Sequence, residues 1–176
     1  MTLRHLFILL LLTTGFLTSC GFKPMYSDNS GNDTYTLLPE IQIGTLSSSQ
    51  RYKLHNYLED ELDPNNESTD KRFTLDVIVT DTISDLLVQK DSTITKKQHH
   101  VSASYVLKAK HNKKTIDQGT INMTASFSEL PSEYATYAIS EKTFDNALKD
   151  IASTLKKRLI IALMKYQKTN HENQPS

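Results

Sequence analysis

Three stretches in the middle of the chain alternate apolar and polar residues with a period of two, and this limits the fold more than any other feature. Phe73, Leu75, Val77 and Val79 share a face opposite Thr74, Asp76 and Thr80. Val101, Ala103, Tyr105, Leu107 and Ala109 alternate with Ser102, Ser104, Lys108 and Lys110, and Ile121, Met123, Ala125 and Phe127 with Thr120, Asn122, Thr124 and Ser126. Successive side chains of a strand point to opposite faces, so each stretch reads as a strand with one buried and one polar face. His111-Asn112-Lys113-Lys114 fits a tight connection between the last two. Gly119 is expected to mark a bulge.

The flanking segments supply the cover such a sheet needs. Thr36 to Ile43 is a fourth strand candidate, and Pro39 inside it argues for an edge position or a late start. Ser47 to Leu62 predicts a helix. Ser47 with Gln50 three residues on fits a capping box, and Leu54, Leu58 and Leu62 recur every fourth residue beside Tyr57 until Pro64 stops the run. A second helix starts between Ser132 and Glu141. Phe144, Leu148, Ile151, Leu155, Leu159, Ala162 and Tyr166 step by three or four, and Ala147, Ala152 and Met164 widen the stripe enough to cover a sheet. The order β-α-β-β-β-α predicts an α+β two-layer sandwich. A four-stranded, mostly antiparallel mixed sheet carries both helices on one face, with the first strand made parallel to its neighbour by the crossover.

Ahead of this domain, Met1 to His5 carries one positive charge, on Arg4, and Leu6 to Leu17 is an almost unbroken apolar run. About a dozen apolar residues are too few to span a bilayer but match the h-region of a secretory signal. Leu17-Thr18-Ser19-Cys20 then resembles the lipobox of bacterial lipoproteins. The resemblance implies removal of residues 1–19 and a lipid anchor on Cys20 with three acyl chains, where two already suffice for stable anchoring. In such lipoproteins Asp after the cysteine favours the inner membrane. Here Gly21 follows, so the expected localisation is the outer membrane, on its periplasmic side. Residues 20–33 read as the lipidated tether, rich in coil formers such as Lys23-Pro24 and Asn29-Ser30-Gly31. Residues 34–166 read as a single domain, and the polar residues 167–176 as a disordered tail. Cys20 is the only cysteine, so once acylated the chain has no disulfide and depends on its packed core.

Cys20-Gly21-Phe22-Lys23-Pro24-Met25-Tyr26 is similar to the opening of the LPS-assembly lipoprotein family, LptE, particularly its alphaproteobacterial members. Gln50-Arg51 with Leu54, Asn56, Leu58 and Leu62 resembles the family's first helix, and Ser132, Tyr134-Ala135, Ala147 and the run Leu155 to Tyr166 its last. The resemblance implies two helices on one side of a four-stranded sheet, the arrangement reached above from periodicity. It also implies a non-enzymatic role: a plug and assembly partner inside the LptD β-barrel that binds lipopolysaccharide on its way to the outer leaflet. The sheet face of Ser102, Ser104, Thr120, Asn122, Thr124 and Ser126 would suit a polar barrel lumen, and would equally suit plain solvent. The alternative is a structural or scaffolding lipoprotein of another envelope complex, without lipid binding.

Charge is unevenly placed. The chain balances 20 basic against 20 acidic side chains, so net charge says nothing of partners. Yet Lys90 to Lys114 holds seven lysines, three histidines and one acid, while Glu59 to Asp85 holds nine acids against Lys71 and Arg72. Lys96 and Lys110 would lie roughly 45 Å apart on a continuous strand, so the lysines form two groups. Lys90, Lys96 and Lys97 are assigned to the connection between the second and third strands, beside Leu86-Leu87-Val88. Lys108, Lys110, Lys113 and Lys114 belong to the opposite hairpin. Lipid A pairs phosphates with acyl chains, so Lys90, Lys96 and Lys97 are the expected lipopolysaccharide site.

Catalysis is not expected. Adjacent His99 and His100 would point to opposite faces of a strand, a poor shared metal site. No H-E-x-x-H, G-x-S-x-G or Gly-rich phosphate loop occurs. Neither a cofactor nor a nucleic-acid partner is expected.

Overall fold

β2 (Phe73–Leu87) pairs antiparallel with β3 (Lys96–Ala109), and β3 antiparallel with β4 (Thr115–Ser128), in a computed structural model that describes residues 37–47, 51–65, 70–87 and 96–172. The leader, Cys20, the tether and Lys90 lie outside the described residues. β1 (Ile41–Ser47) pairs parallel with β2, completing a sheet of order β1-β2-β3-β4. Pro39 is accommodated in both expected ways, because β1 is an edge strand and begins only at Ile41.

The register stacks the apolar positions across the ladder. Leu75 faces Leu107, Val77 faces Tyr105, and Ala103 faces Ile121. All of these are buried. The ladder slips between Leu107 and Lys108, where Ile116 is the extra residue of β4, while Gly119 stays in register opposite Tyr105. Gly119 is therefore not the bulge. It answers crowding instead, since a Cβ there would come within 3.2 Å of the Tyr105 hydroxyl and 3.3 Å of Arg158 Nη1. A second slip, in β1 between Ile43 and Leu46, is held by Asp76, whose Oδ1 accepts from the Thr45 N–H at 2.9 Å.

α1 (Arg51–Leu62) places Leu54, Leu58 and Leu62 in the core. Ser47, expected to open and cap this helix, is instead the last residue of β1, paired with Ile78, while Gln50 lies outside the described residues. α2 (Glu133–Glu172) begins after Ser132, whose Oγ accepts from the Ala135 N–H at 3.4 Å as an N-cap. Its stripe from Phe144 through Leu148, Ile151, Leu155 and Leu159 to Leu163 is fully buried. α2 lies over β4 and β3, with α1 alongside it against β1. Tyr57 joins the two helices by donating to Asp145 Oδ1 at 2.5 Å. The sheet's other face carries no helix among the described residues. This is the two-layer α+β sandwich anticipated from periodicity.

α2 does not end at Tyr166. It continues to Glu172, so the chain just beyond Tyr166 is helical, where a disordered tail was expected. Propagating a helix fixes one residue per hydrogen bond gained, and no Gly or Pro interrupts Gln167 to Glu172.

Candidate functional site

Lys96 and Lys97 are not in a loop. They are the first two residues of β3, because pairing with β2 persists past the core, Lys97 opposite Asp85 and Lys96 opposite Leu87. Lys97 Nζ donates to Glu129 Oε1 at 3.1 Å, which partly neutralises it, while Lys96 is exposed. Three half-exposed apolar side chains share this end of the molecule: Ile83, Leu86 and Leu130. Cation and apolar surface therefore do meet here, but on strand ends.

The strand extends this far because His99 behaves as a core residue. It is 3% exposed, with its ring 5.6 Å from that of Phe144 and 5.2 Å from that of Phe127. Its Nδ1 lies 3.0 and 2.9 Å from the two carboxylate oxygens of Asp81, and its Nε2 lies 2.9 Å from Ser140 Oγ. A carboxylate only accepts, so Nδ1 is the donor and Ser140 completes the ring's bonding. Ser, His and Asp are thus joined in the order used by serine hydrolases. Reaction needs more. Ser140 sits inside α2, where the neighbouring N–H groups are spent on the helical ladder and form no oxyanion hole. Phe127 and Phe144 also close on the ring. The arrangement pins the start of α2 to β2 and β3. His100, on the opposite face, is exposed and meets Ser84 Oγ at 2.9 Å.

On the helix-free face, Ser104 Oγ and Thr120 Oγ1 are 3.1 Å apart, with Ser102, Asn122, Thr124 and Ser126 around them. Ile78, about half exposed, interrupts this hydroxyl-rich surface.

The opposite end holds what the sequence concealed. The connection around His111 and Asn112 turns tightly, with Lys113 at φ 56° and Lys114 N–H donating to Asn112 Oδ1 at 3.0 Å. A cleft of about 360 Å³ opens between this hairpin and the last turns of α2. Lys114, Arg158 and Lys165 line it together with Ile116, Ile161 and Tyr166. Tyr105 donates to Asp117 Oδ2 at 2.8 Å inside it. Burial, then that hydrogen bond, raises the phenol above its ordinary value, so it stays a neutral donor. The second lysine group therefore has apolar neighbours after all. They come from β4 and from α2, too far along the chain for sequence spacing to reveal. Among the group itself, Lys108 is engaged by Asp76 Oδ2 at 2.9 Å.

The described residues thus form a four-stranded mixed sheet with two helices on one face and a polar open face. Solved examples of this fold include bacterial lipoproteins. A candidate lipoprotein of Caulobacter crescentus superposes with a TM-score of 0.60 at 14% identity, over 74% of this chain and 96% of its own. The minor lipoprotein of Acinetobacter baumannii superposes with a TM-score of 0.52 at 14% identity, over 69% of this chain and 91% of its own. These likenesses establish the fold. No family model matches the sequence, and no curated protein matches it either.

Proposed function

We propose that the chain is an outer-membrane lipoprotein of the LptE type, held by acyl chains on Cys20 at the periplasmic side. In this reading it is a non-enzymatic partner of an LptD-type β-barrel and contacts lipopolysaccharide in transit. The observation that carries the reading is the fold shared with two bacterial lipoproteins over nearly their whole lengths. In this chain the same fold is preceded by a lipobox-like leader and by Cys20-Gly21-Phe22-Lys23-Pro24-Met25-Tyr26. The helix-free sheet face supports it, because a barrel lumen is polar and this face presents hydroxyls and amides. Lys90, Lys96 and Lys97 are the proposed contacts for lipid A phosphates, each lysine offering a charge-assisted hydrogen bond.

Copurification from detergent extracts tests the partnership. A tagged copy should bring down a very large outer-membrane barrel stoichiometrically, and recovery of other envelope proteins instead would favour a scaffolding lipoprotein. Reversing Lys90, Lys96 and Lys97 to Glu should keep the barrel and weaken lipopolysaccharide binding at least tenfold. Reversing Lys110, Lys113 and Lys114 should not. Loss only in the second variant would move the lipopolysaccharide site to the cleft.

A further inference from the structure

The described chain begins at Leu37, at the end of the sheet that carries the β3–β4 hairpin. Leu37 and Leu38 are buried, and the Glu40 and Ile41 N–H groups turn back onto their carbonyls. The Glu40 carbonyl then accepts from Phe73 N–H at 3.2 Å, and the Arg72 carbonyl from Lys110 N–H at 2.8 Å. Entry point and β3–β4 hairpin are thus bonded through the two residues Arg72 and Phe73. The Phe73 ring in turn meets the Tyr166 ring edge-on at 6.1 Å, which brings in the last turns of α2.

Lys110, Lys113, Lys114, Lys165 and Lys168 gather there, all exposed. None of the five has an ion-pair partner among the described residues. The acids at this end are Glu40, bound by Arg72, Asp117, which accepts from Tyr105, Asp63, bound by Lys71, and Asp70 beside Arg72, with Glu59 and Asp60 next to Ile41 on the α1 side. At the far end Lys97 is matched by Glu129. The unpaired positive charge therefore sits on the hairpin and the last turns of α2, at the end of the sheet where the described chain begins.

We propose that this end is a docking surface for anionic phospholipid headgroups of the leaflet that holds the anchor. The proposal rests on the anchor in the reading above. A single anchoring signal is strengthened when a basic patch lies against an anionic leaflet, and each lysine near such a surface contributes roughly fivefold in partitioning. Ile116, Ile161 and Tyr166 in the cleft would give a headgroup's glycerol an apolar seat beside Lys114, Arg158 and Lys165. Docked this way, the hairpin faces the leaflet and the Lys96 end points away from it.

The test removes the anchor, so that only the surface can bind. Among the described residues every core residue lies between Leu37 and Leu163, so a chain of residues 20–176 with Cys20→Ala keeps that core. Its sedimentation with phosphatidylcholine vesicles is compared with and without phosphatidylglycerol. Binding is expected only with phosphatidylglycerol, falling as salt rises. Replacing Lys113, Lys114 and Lys165 by Gln should weaken it on the order of a hundredfold, while Lys96→Gln leaves it unchanged. Absence of binding would overturn the proposal. So would an equal loss from Lys96→Gln, which would make the attraction nonspecific, or equally tight binding to soluble polyglutamate, which would make the target an acidic chain. No barrel and no lipopolysaccharide take part, so a chain that binds these vesicles but recovers no barrel would refute the proposed partnership and leave this surface standing.

Discussion

His99 is the residue whose environment departs furthest from its type. A polar ring 3% exposed between Phe127 and Phe144 is tolerated because both nitrogens are bonded. Its partners keep some access to water: Ser140 is partly buried and the Asp81 side chain is 23% exposed. Water can therefore replace the ring for them, and the larger part of its contribution is packing. His99→Ala should cost about 2–4 kcal/mol through the void left between two aromatic rings. His99→Phe, which refills the space, should cost under about 1.5 kcal/mol. Thermal or urea denaturation of the two variants checks this, and equal losses would make the hydrogen bonds the dominant contribution. The same geometry predicts an unreactive serine: a fluorophosphonate probe should leave Ser140 unlabelled, because no oxyanion hole faces it.

At the scale of elements, the bulge in β1 is the joint on which the edge of the sheet depends. Gly44 is required there for space, since a Cβ would lie 2.5 Å from Asp76 Oδ1 and 2.8 Å from Thr74 Cγ2. Gly44→Ala should cost about 1–3 kcal/mol, and less in an Asp76→Ala background, where the nearest clash is gone. Asp76 is also the acid-sensitive part of the joint. The Lys108 ammonium, then the Thr45 N–H, holds its carboxyl below the ordinary carboxylate value. A carboxyl depressed by folding stabilises fully above its unfolded value, about 3.9, and loses that contribution as pH falls through the lower folded value. The melting-temperature difference between wild type and Asp76→Asn should therefore be constant above pH ~5 and shrink toward pH ~3. A difference that grows on acidification would contradict the joint.

The elements themselves were legible wherever one face is buried and the other wet. The three alternating runs, the Leu54-Leu58-Leu62 stripe and the α2 stripe all fell where the sequence puts them, because burial alone decides those patterns. The extension of β3 to Lys96 was not legible, since Gln98, His99 and His100 read as polar until Asp81 and Ser140 are brought alongside. Nor was the cleft, which joins Lys114 on the hairpin to Arg158 and Lys165 on α2. Gly119 was misread because its reason is the approach of Tyr105 and Arg158 rather than a turn of its own strand.

For the whole molecule, the proposed anchor raises the question of what would hold it at a membrane. Among the described residues no helix is long and apolar enough to cross one. The forty residues of α2 extend about 60 Å and the fourteen of β3 about 46 Å. The helix therefore outruns the sheet, and its last turns carry Lys165 and Lys168 beside the hairpin. On the proposal above, such a basic end would strengthen attachment, but headgroup attraction is screened by salt and would not hold alone. Acyl chains differ, contributing roughly 0.8 kcal/mol per buried CH₂ with no dependence on ionic strength. Cys20→Ala should consequently abolish labelling by a palmitate analogue and leave the leader uncleaved, which slows the band on a denaturing gel. Extraction distinguishes the two contributions. Wild type should stay with membranes in high salt and leave them only in detergent, whereas chains beginning at residue 20 with Cys20→Ala should be released by salt. Undiminished palmitate labelling of Cys20→Ala would remove the anchor from this account, and with it the reason the basic end should face a leaflet.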